Sequence, residues 1–190
     1  LCRVLRAFAI EELEKMAPPL EYELDLNYPG APNDRRSLGA KTVRRILQAA
    51  SRNPKILAVA KDTELCAAIG SLFKAQNGLM LSQNHHNCIM TKDARFSSDT
   101  LWHQDIRYWS FSDDNLISAW IALGPEFANN GGLKVLPGSH LTEFSPSSFD
   151  SDLFFRTDSE ENKDFLRGEL QITLNAGDVF LFHSRLLHAA

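Results

Sequence analysis

The sequence predicts a mainly β protein with flanking helices, its core a double-sheet jelly roll of the double-stranded β-helix kind. Three observations carry this expectation. Helical spacing and helix stops dominate up to about residue 75. From residue 76 onward, short apolar runs alternate with Gly-rich turns, as they do in antiparallel double-sheet folds. The polar stretch 141–167 interrupts those runs once, as an insertion over one face would. The chain is accordingly expected to form a single domain, 1–190. Within it, 1–75 would be helical support and 76–190 the core with its insertion.

Val4, Leu5, Ala7, Phe8 and Leu13 recur at helical spacing among charges, so an amphipathic helix is expected over 4–16, stopped by Pro18-Pro19. Leu20, Tyr22, Leu24 and Leu26 alternate with Glu21, Glu23 and Asp25, the pattern of a half-buried strand. A turn-rich loop covers 28–33. Residues 42–50 read as a helix, with Val43, Ile46, Leu47 and Ala50 on one face and Arg44, Arg45 and Gln48 on the other. Asn53-Pro54 supplies the cap and first residue of a further short helix. Asp62 caps a third, ending near Phe73. These helices read as a layer packed on a sheet.

After Asn77-Gly78 the character changes. Residues 79–91 are strand-like, 102–111 are aromatic and extended, and 116–123 form a near-continuous apolar run suited to a central strand. Asn129-Asn130-Gly131-Gly132 is a turn leading into Leu133-Lys134-Val135-Leu136, which Pro137-Gly138 closes. Leu170, Ile172 and Leu174 alternate again, Asn175-Ala176-Gly177-Asp178 turns, and 179–182 reads as a buried strand.

The 190 residues carry 20 Lys plus Arg against 24 Asp plus Glu, a formal net charge of −4. Such a chain has no electrostatic footprint for nucleic acid or an anionic membrane surface, so neither is expected as a partner. No apolar run reaches the ~18 residues of a membrane span, and no signal-peptide pattern opens the chain. Cys2, Cys66 and Cys88 are scattered, which suggests a reducing, cytoplasmic setting and argues against structural zinc. The chain starts without Met and stops two residues after His188, too soon for a strand of ~5 residues, so it reads as part of a longer protein. Oligomeric state is left open.

The chemistry gathers at Trp102-His103-Gln104-Asp105. A histidine and a carboxylate two positions apart on a strand share one face. They are two members of a 2-His-1-carboxylate triad, which holds Fe(II) on one side and leaves the opposite positions open. The remaining histidine has to come from a distant strand, and the run 177–188 ends the chain with His183 and His188 as rivals.

At these residues the chain resembles the phytanoyl-CoA dioxygenase family of Fe(II)- and 2-oxoglutarate-dependent oxygenases. The resemblance rests on His103-Gln104-Asp105, Ala119-Trp120, Asn130-Gly131-Gly132-Leu133, Val135-Leu136-Pro137-Gly138-Ser139-His140, and Ala176-Gly177-Asp178 through His188. It implies a jelly-roll, cupin-like core with His103, Asp105 and His188 as metal ligands, because the family pattern puts the last ligand five positions after the Phe-His pair. His183 then becomes a buried strand histidine near the site and His140 a structural residue of its turn. The adjacent His85 and His86 point to opposite sides of any strand.

The resemblance further implies 2-oxoglutarate as co-substrate and O2 as oxidant, giving a hydroxylated small organic or acyl substrate with succinate and CO2. Two imidazoles and one carboxylate leave Fe(II) a net +1 site, whose charge a chelating 2-oxo acid offsets. A carboxylate at 105 points to hydroxylation, since relatives that halogenate carry Gly or Ala there. Gln104 and Trp120 match positions lining the co-substrate pocket, and Asn87 and Thr91 are placed to donate hydrogen bonds. Arg95, Arg107 and Trp109 are the substrate candidates. The family's basic anchor for 2-oxoglutarate follows the last ligand, beyond Ala190. The stretches 92–100 and 141–167 are expected to form a mobile cover. Alternatives are a cupin-type metal enzyme not using 2-oxoglutarate, and a non-catalytic jelly-roll binding module.

Overall fold

Apolar residues of one helix and one small sheet account for the core of the first of two units, Leu1–Ser98 and Asp99–Ala190, in the computed structural model. The structure describes residues 1–26, 28–73, 78–83 and 86–190. In the first unit, Ala9 of helix α1 (Cys2–Lys15) packs with Val43 and Ile46 of strand β2 (Val43–Leu47). Strands β1 (Leu20–Tyr22) and β3 (Cys88–Met90) pair antiparallel with β2 on either side. Helix α1 ends as its sequence requires, with Met16 at φ 47 just ahead of Pro18-Pro19.

Residues 42–50 correct the sequence reading: they form β2 and a single turn, α2 (Ala49–Arg52), in place of a helix. The apolar spacing fitted both periods. Two strand partners, β-branched Val43 and Ile46, and a buried counter-charge for Arg44 favour the strand. Only β1 of the alternation at 20–26 is strand; Glu23–Asp25 is a 3-10 turn that buries Glu23 completely. Helices α3 (Pro54–Ala60) and α4 (Thr63–Phe73) start on the expected caps, Asn53 accepting from the Lys55 amide and Asp62 from those of Glu64 and Leu65. Neither buries a residue, so the expected helical layer comes down to α1 and α2. Asn77 of the anticipated turn lies outside the described residues.

Beneath the surface of this unit lies an ion pair. Arg44 and Glu23 are 3% and 0% exposed, with Nη1 to Oε2 at 3.1 Å. The same carboxylate accepts from the Ser98 hydroxyl at 2.5 Å and the Ser98 amide at 3.2 Å. Asp93 and Ser97 close the preceding loop, the Asp93 amide donating to the Ser97 hydroxyl. The stretch 92–98 is therefore pinned, contrary to the expectation of a mobile cover.

The second unit holds two antiparallel sheets. One pairs β4 (Ile117–Ile121) with β7 (Val179–His183); the other runs β6 (Leu170–Gln171), β5 (Lys134–Val135), β8 (His188–Ala189). Trp120, Phe180 and Phe182 from the first meet Val135 of the second and Leu133, Ile172 and Leu186 beside its strands, which is the inner layer of the expected jelly roll. Gly132 permits the turn into β5, because a Cβ there would lie 2.9 Å from the Phe127 backbone nitrogen. The run at 116–123 is less central than expected: among the described residues β4 pairs with β7 alone.

The stretch 141–167 is no loose cover. It contains a 3-10 turn (Pro146–Ser148), a bridge between Phe149 and Phe155, and helix α5 (Glu160–Leu166). Phe144, Phe149, Phe155 and Phe165 meet edge to face, with centroids 4.9–6.1 Å apart, and join Trp102, Leu136 and Leu187 in one cluster. Four phenylalanines among serines and aspartates gave no period to read, yet they build core.

The buried pair generates a test. Burial by itself would raise the Glu23 pKa, but the Ser98 hydrogen bonds and the Arg44 charge hold it below the ordinary carboxylate value of 4.5. Its contribution is thus present above pH 4.5 and lost as acid protonates the folded form. Glu23→Gln keeps the shape and strands Arg44, so it should cost about 3 kcal/mol. Denaturant unfolding should show that loss at pH 7, with the gap to wild type narrowing toward pH 3. A variant as stable as wild type at pH 7 would remove the pair from the fold's determinants.

Candidate metal centre

His103 and His188 are brought together by backbone. Each donates its N–H to the other's carbonyl at 3.0 Å, an antiparallel bridge that continues with Thr100 and Ala190. Residues exchanging both bonds present their side chains on one face, and the two imidazole centroids lie 4.2 Å apart. His188 sits on β8, whose other edge pairs with β5, so this histidine has neighbours on both sides.

Asp105 arrives differently from the expected strand. Gln104 is extended (φ −114, ψ 124), which preserves the alternation, but Asp105 opens a 3-10 turn, Asp105–Tyr108. The shared face survives and the strand does not. Asp105 Oδ1 stands 3.6 Å from His103 Nε2 and 3.6 Å from His188 Nε2. His103, Asp105 and His188 are 6%, 1% and 5% exposed, and one donor atom from each lies within 4.8 Å of the others.

The protonation pattern suits a cation. His103 Nδ1 is 2.8 Å from the Leu101 carbonyl and His188 Nδ1 is 2.9 Å from the Leu186 carbonyl. A carbonyl oxygen only accepts, so each Nδ1 carries a proton and Nε2, on the side of Asp105, is the ring nitrogen left to ligate an ion. Ser118 of β4 donates to Asp105 Oδ2 at 3.3 Å, which orients the carboxylate. Donors about 2.1 Å from a common ion stand roughly 3 Å apart at right angles and roughly 4.2 Å when opposed, so separations of 3.6 Å fit one ion. The donor set of two imidazoles and one carboxylate fits Fe(II).

The two histidine rivals separate cleanly. His183 points away from the triad, packs 5.8 Å from His140, and accepts the Arg185 amide on Nδ1 at 3.1 Å. Burial pushes its pKa below the ordinary range; Asp114 opposes that shift, while His140 and Arg185 add to it. Of the adjacent pair, His85 lies outside the described residues and His86 is exposed.

Gln104 is buried and used at both ends: its amide donates to the Arg185 carbonyl at 2.6 Å, and its Oε1 accepts from Arg107 Nε at 2.9 Å. Trp120 donates Nε1–H to Glu126 at 2.7 Å; burial pushes that carboxyl up and the hydrogen bond opposes it. Asn87 accepts the Ala50 amide and donates to the Ser82 carbonyl, and the Thr91 hydroxyl donates to Val43, so both tie together the first unit's backbone. Arg95, also in the first unit, is exposed, with its guanidinium 5.0 Å from the Phe96 ring. Trp109 packs on Phe111. Arg107 stacks over Phe149; burial, then the charge of Arg185, pushes its guanidinium below the ordinary arginine range.

Two residues at the site, Ser118 and Phe154, were missed, while Tyr108 stands in the aromatic stretch 102–111 that the sequence already marked. Ser118 was legible as the one polar residue of an apolar strand, two before Trp120. Tyr108 and Phe154 wall the His103 ring at 5.9 and 6.4 Å, and the Tyr108 hydroxyl donates to the Asp152 carbonyl at 2.7 Å. Phe154 also lines a recess of about 280 Å3 with Leu101, Trp102 and Arg156. Nothing local in the sequence marks Phe154, because the stretch that carries it looked like a loop.

Known proteins resemble this chain in sequence and in fold. Human peroxisomal phytanoyl-CoA dioxygenase is 33% identical over 96 residues, which is 46% of this chain and 27% of that protein. The chain thus matches little more than a quarter of the length of that relative. Among solved structures, the non-heme alpha-ketoglutarate-dependent carbocyclase SnoK from nogalamycin biosynthesis superposes with a TM-score of 0.67 at 22% identity, covering 99% of this chain and 67% of its own. The EctD apoform from S. alaskensis gives 0.65 at 19%, covering 99% and 61%. These two likenesses show the fold. The family model described as phytanoyl-CoA dioxygenase matches residues 4–190, and the chain belongs to that family.

Proposed function

We propose that this chain carries the iron centre of a 2-oxoglutarate-dependent oxygenase. The observation that carries the reading is the convergence of His103 Nε2, His188 Nε2 and Asp105 Oδ1 in a buried pocket, with both Nδ1 atoms committed to carbonyls. When bound there, Fe(II) with 2-oxoglutarate and O2 supplies the oxidising power to convert a C–H to a C–OH, with succinate and CO2 as co-products. The family match runs through both units, so we read 4–190 as one oxygenase domain.

The chain's own part is to hold and orient. His103 and His188 arrive on paired backbone, so their spacing is fixed before any ion binds. Ser118 turns the Asp105 carboxylate, and the carbonyls of Leu101 and Leu186 keep both rings in the ligating tautomer. Tyr108, Phe154 and Phe182 surround the imidazoles with ring carbon and limit water. Gln104 and Trp120 remain our candidates for the co-substrate side. Asn87 and Thr91 we assign to the first unit's framework.

The substrate class is a small organic or acyl molecule, in keeping with the net charge of −4 and with relatives named for an acyl-CoA. No helix of the described residues is long and apolar enough to cross a membrane. The three free thiols fit a reducing compartment such as the cytoplasm, whereas the mammalian relatives are peroxisomal by name.

Two outcomes are expected. Anaerobic equilibrium dialysis should show one Fe(II) per chain, lost in His188→Ala and retained in His183→Ala. With labelled 2-oxoglutarate, wild type should release CO2 without added substrate, and His188→Ala should release none. Iron binding with no release would favour the cupin-type enzyme that does not use 2-oxoglutarate; no iron binding would favour the binding module.

Ser118→Ala should weaken Fe(II) binding roughly tenfold, the usual scale for losing an outer hydrogen bond to a ligand. Ser118→Thr, which keeps the hydroxyl, should restore it. Equal affinity in all three proteins would reduce Ser118 to a packing residue.

A further inference from the structure

We propose that Arg107 is a fixed oxyanion fork, built to take the carboxylate or phosphate group of a bound small molecule. This rests on the oxygenase reading above and adds a recognition element to it. The Arg107 Cζ lies 3.4 Å from the Phe149 ring centroid, and Phe149 is itself 7% exposed within the aromatic cluster. Arg107 Nε donates to Gln104 Oε1, and Gln104, 3% exposed, is held in turn by the Arg185 carbonyl. One face and one edge of the guanidinium are therefore set by buried groups. Its plane is preorganised, which is unusual for a side chain with this much rotamer freedom.

What the fork lacks is an acid. Among the described residues no carboxylate pairs with Arg107. Its neighbour Arg185 is provided for: Asp114 and Glu143 lie 3.3 and 3.4 Å from Nη1, and the Thr142 carbonyl accepts from Nη2. A half-buried cation beside a second cation, with no internal counter-ion, is costly to keep. Its two terminal NH2 groups remain in a fixed plane, the geometry that meets two oxygens of a carboxylate or phosphate at once.

The placement limits which part of a ligand is held. In a 3-10 turn, residues three apart eclipse one another. Tyr108 therefore shares the side of Asp105, as its contact with His103 shows, while Arg107 is turned back to Gln104 by its hydrogen bond. The fork opens beside the ligand-bearing turn rather than into the triad, so it holds an anionic group remote from the reacting carbon. Such a group comes either from the prime substrate or from the far carboxylate of the co-substrate.

A titration separates these cases without turnover. The metal-free full chain, 15N-labelled, is titrated with inorganic phosphate and with acetate at constant ionic strength. The Arg107 Nε–Hε peak, assigned by its loss in Arg107→Gln, should move saturably with a low-millimolar midpoint. Arg107→Lys keeps the charge without the fork, and the midpoint read from the Gln104 side-chain amide should rise roughly tenfold. Phe149→Leu, which removes only the stacking surface, should weaken binding less while leaving the folded spectrum intact. Shifts that never saturate, or a lysine variant that binds as tightly, would overturn the fork. Repeating the phosphate titration with 2-oxoglutarate and Zn(II) present then names the source. Displacement of phosphate assigns the fork to the co-substrate, and undisturbed phosphate assigns it to the prime substrate. A failed oxygenase assay leaves this titration readable, and a failed titration leaves the iron-binding result standing.

Discussion

The paired backbone of His103 and His188 is the constraint on which the site depends. Two residues from opposite ends of the second unit exchange both main-chain hydrogen bonds, and that exchange fixes how far apart two imidazoles sit. Antiparallel pairing is directional and register-specific, so a slip of one residue would turn a ligand to the other face. β5 secures His188 from the other edge, and the Ser139 hydroxyl accepts the Leu187 amide beside it. The ligand positions are thus set by the sheet, before any side-chain preference acts.

Within that frame the two histidines use the same local device. Each imidazole donates Nδ1–H to the carbonyl two residues earlier, Leu101 for His103 and Leu186 for His188. This satisfies a buried donor and selects the tautomer in a single bond, so both rings offer lone pairs to one point. Asp105 completes the set from a turn, because the extended Gln104 preserves alternation for the one step that matters. The Asp105 carboxylate, oriented by Ser118, faces Nε2 of both imidazoles at 3.6 Å.

Polar sequence and polar environment part company twice in this protein. The stretch 141–167 reads as a solvated insertion, but its phenylalanines pack edge to face and give Arg107 the surface on which it lies flat. Arg44 reads as the exposed face of a helix, but it is buried against Glu23 and Ser98. In both cases partners distant in sequence decide the environment. Arg44 is buried because Glu23 is buried with it, and no local window contains both.

The sequence by itself determined the chemistry. Residue types at 103, 105 and 188, the Gly-rich turns, the helix caps at Asn53 and Asp62, and the family motifs are local signals. Each is read from a few adjacent positions without knowing the fold, and it was the family resemblance that joined position 188 to 103 and 105. Tertiary structure decided the rest. It chose strand over helix for Val43–Leu47, since both periods fitted and only the neighbouring strands could break the tie. It brought His188, the histidine that the resemblance had already favoured, beside His103 by pairing their backbones. It made Asp105 the first residue of a turn, set Ser118 behind it, and put Phe154 beside His103 from a segment with no readable period. Spacing along the chain fixes which face a side chain takes, but only packing fixes what stands opposite that face.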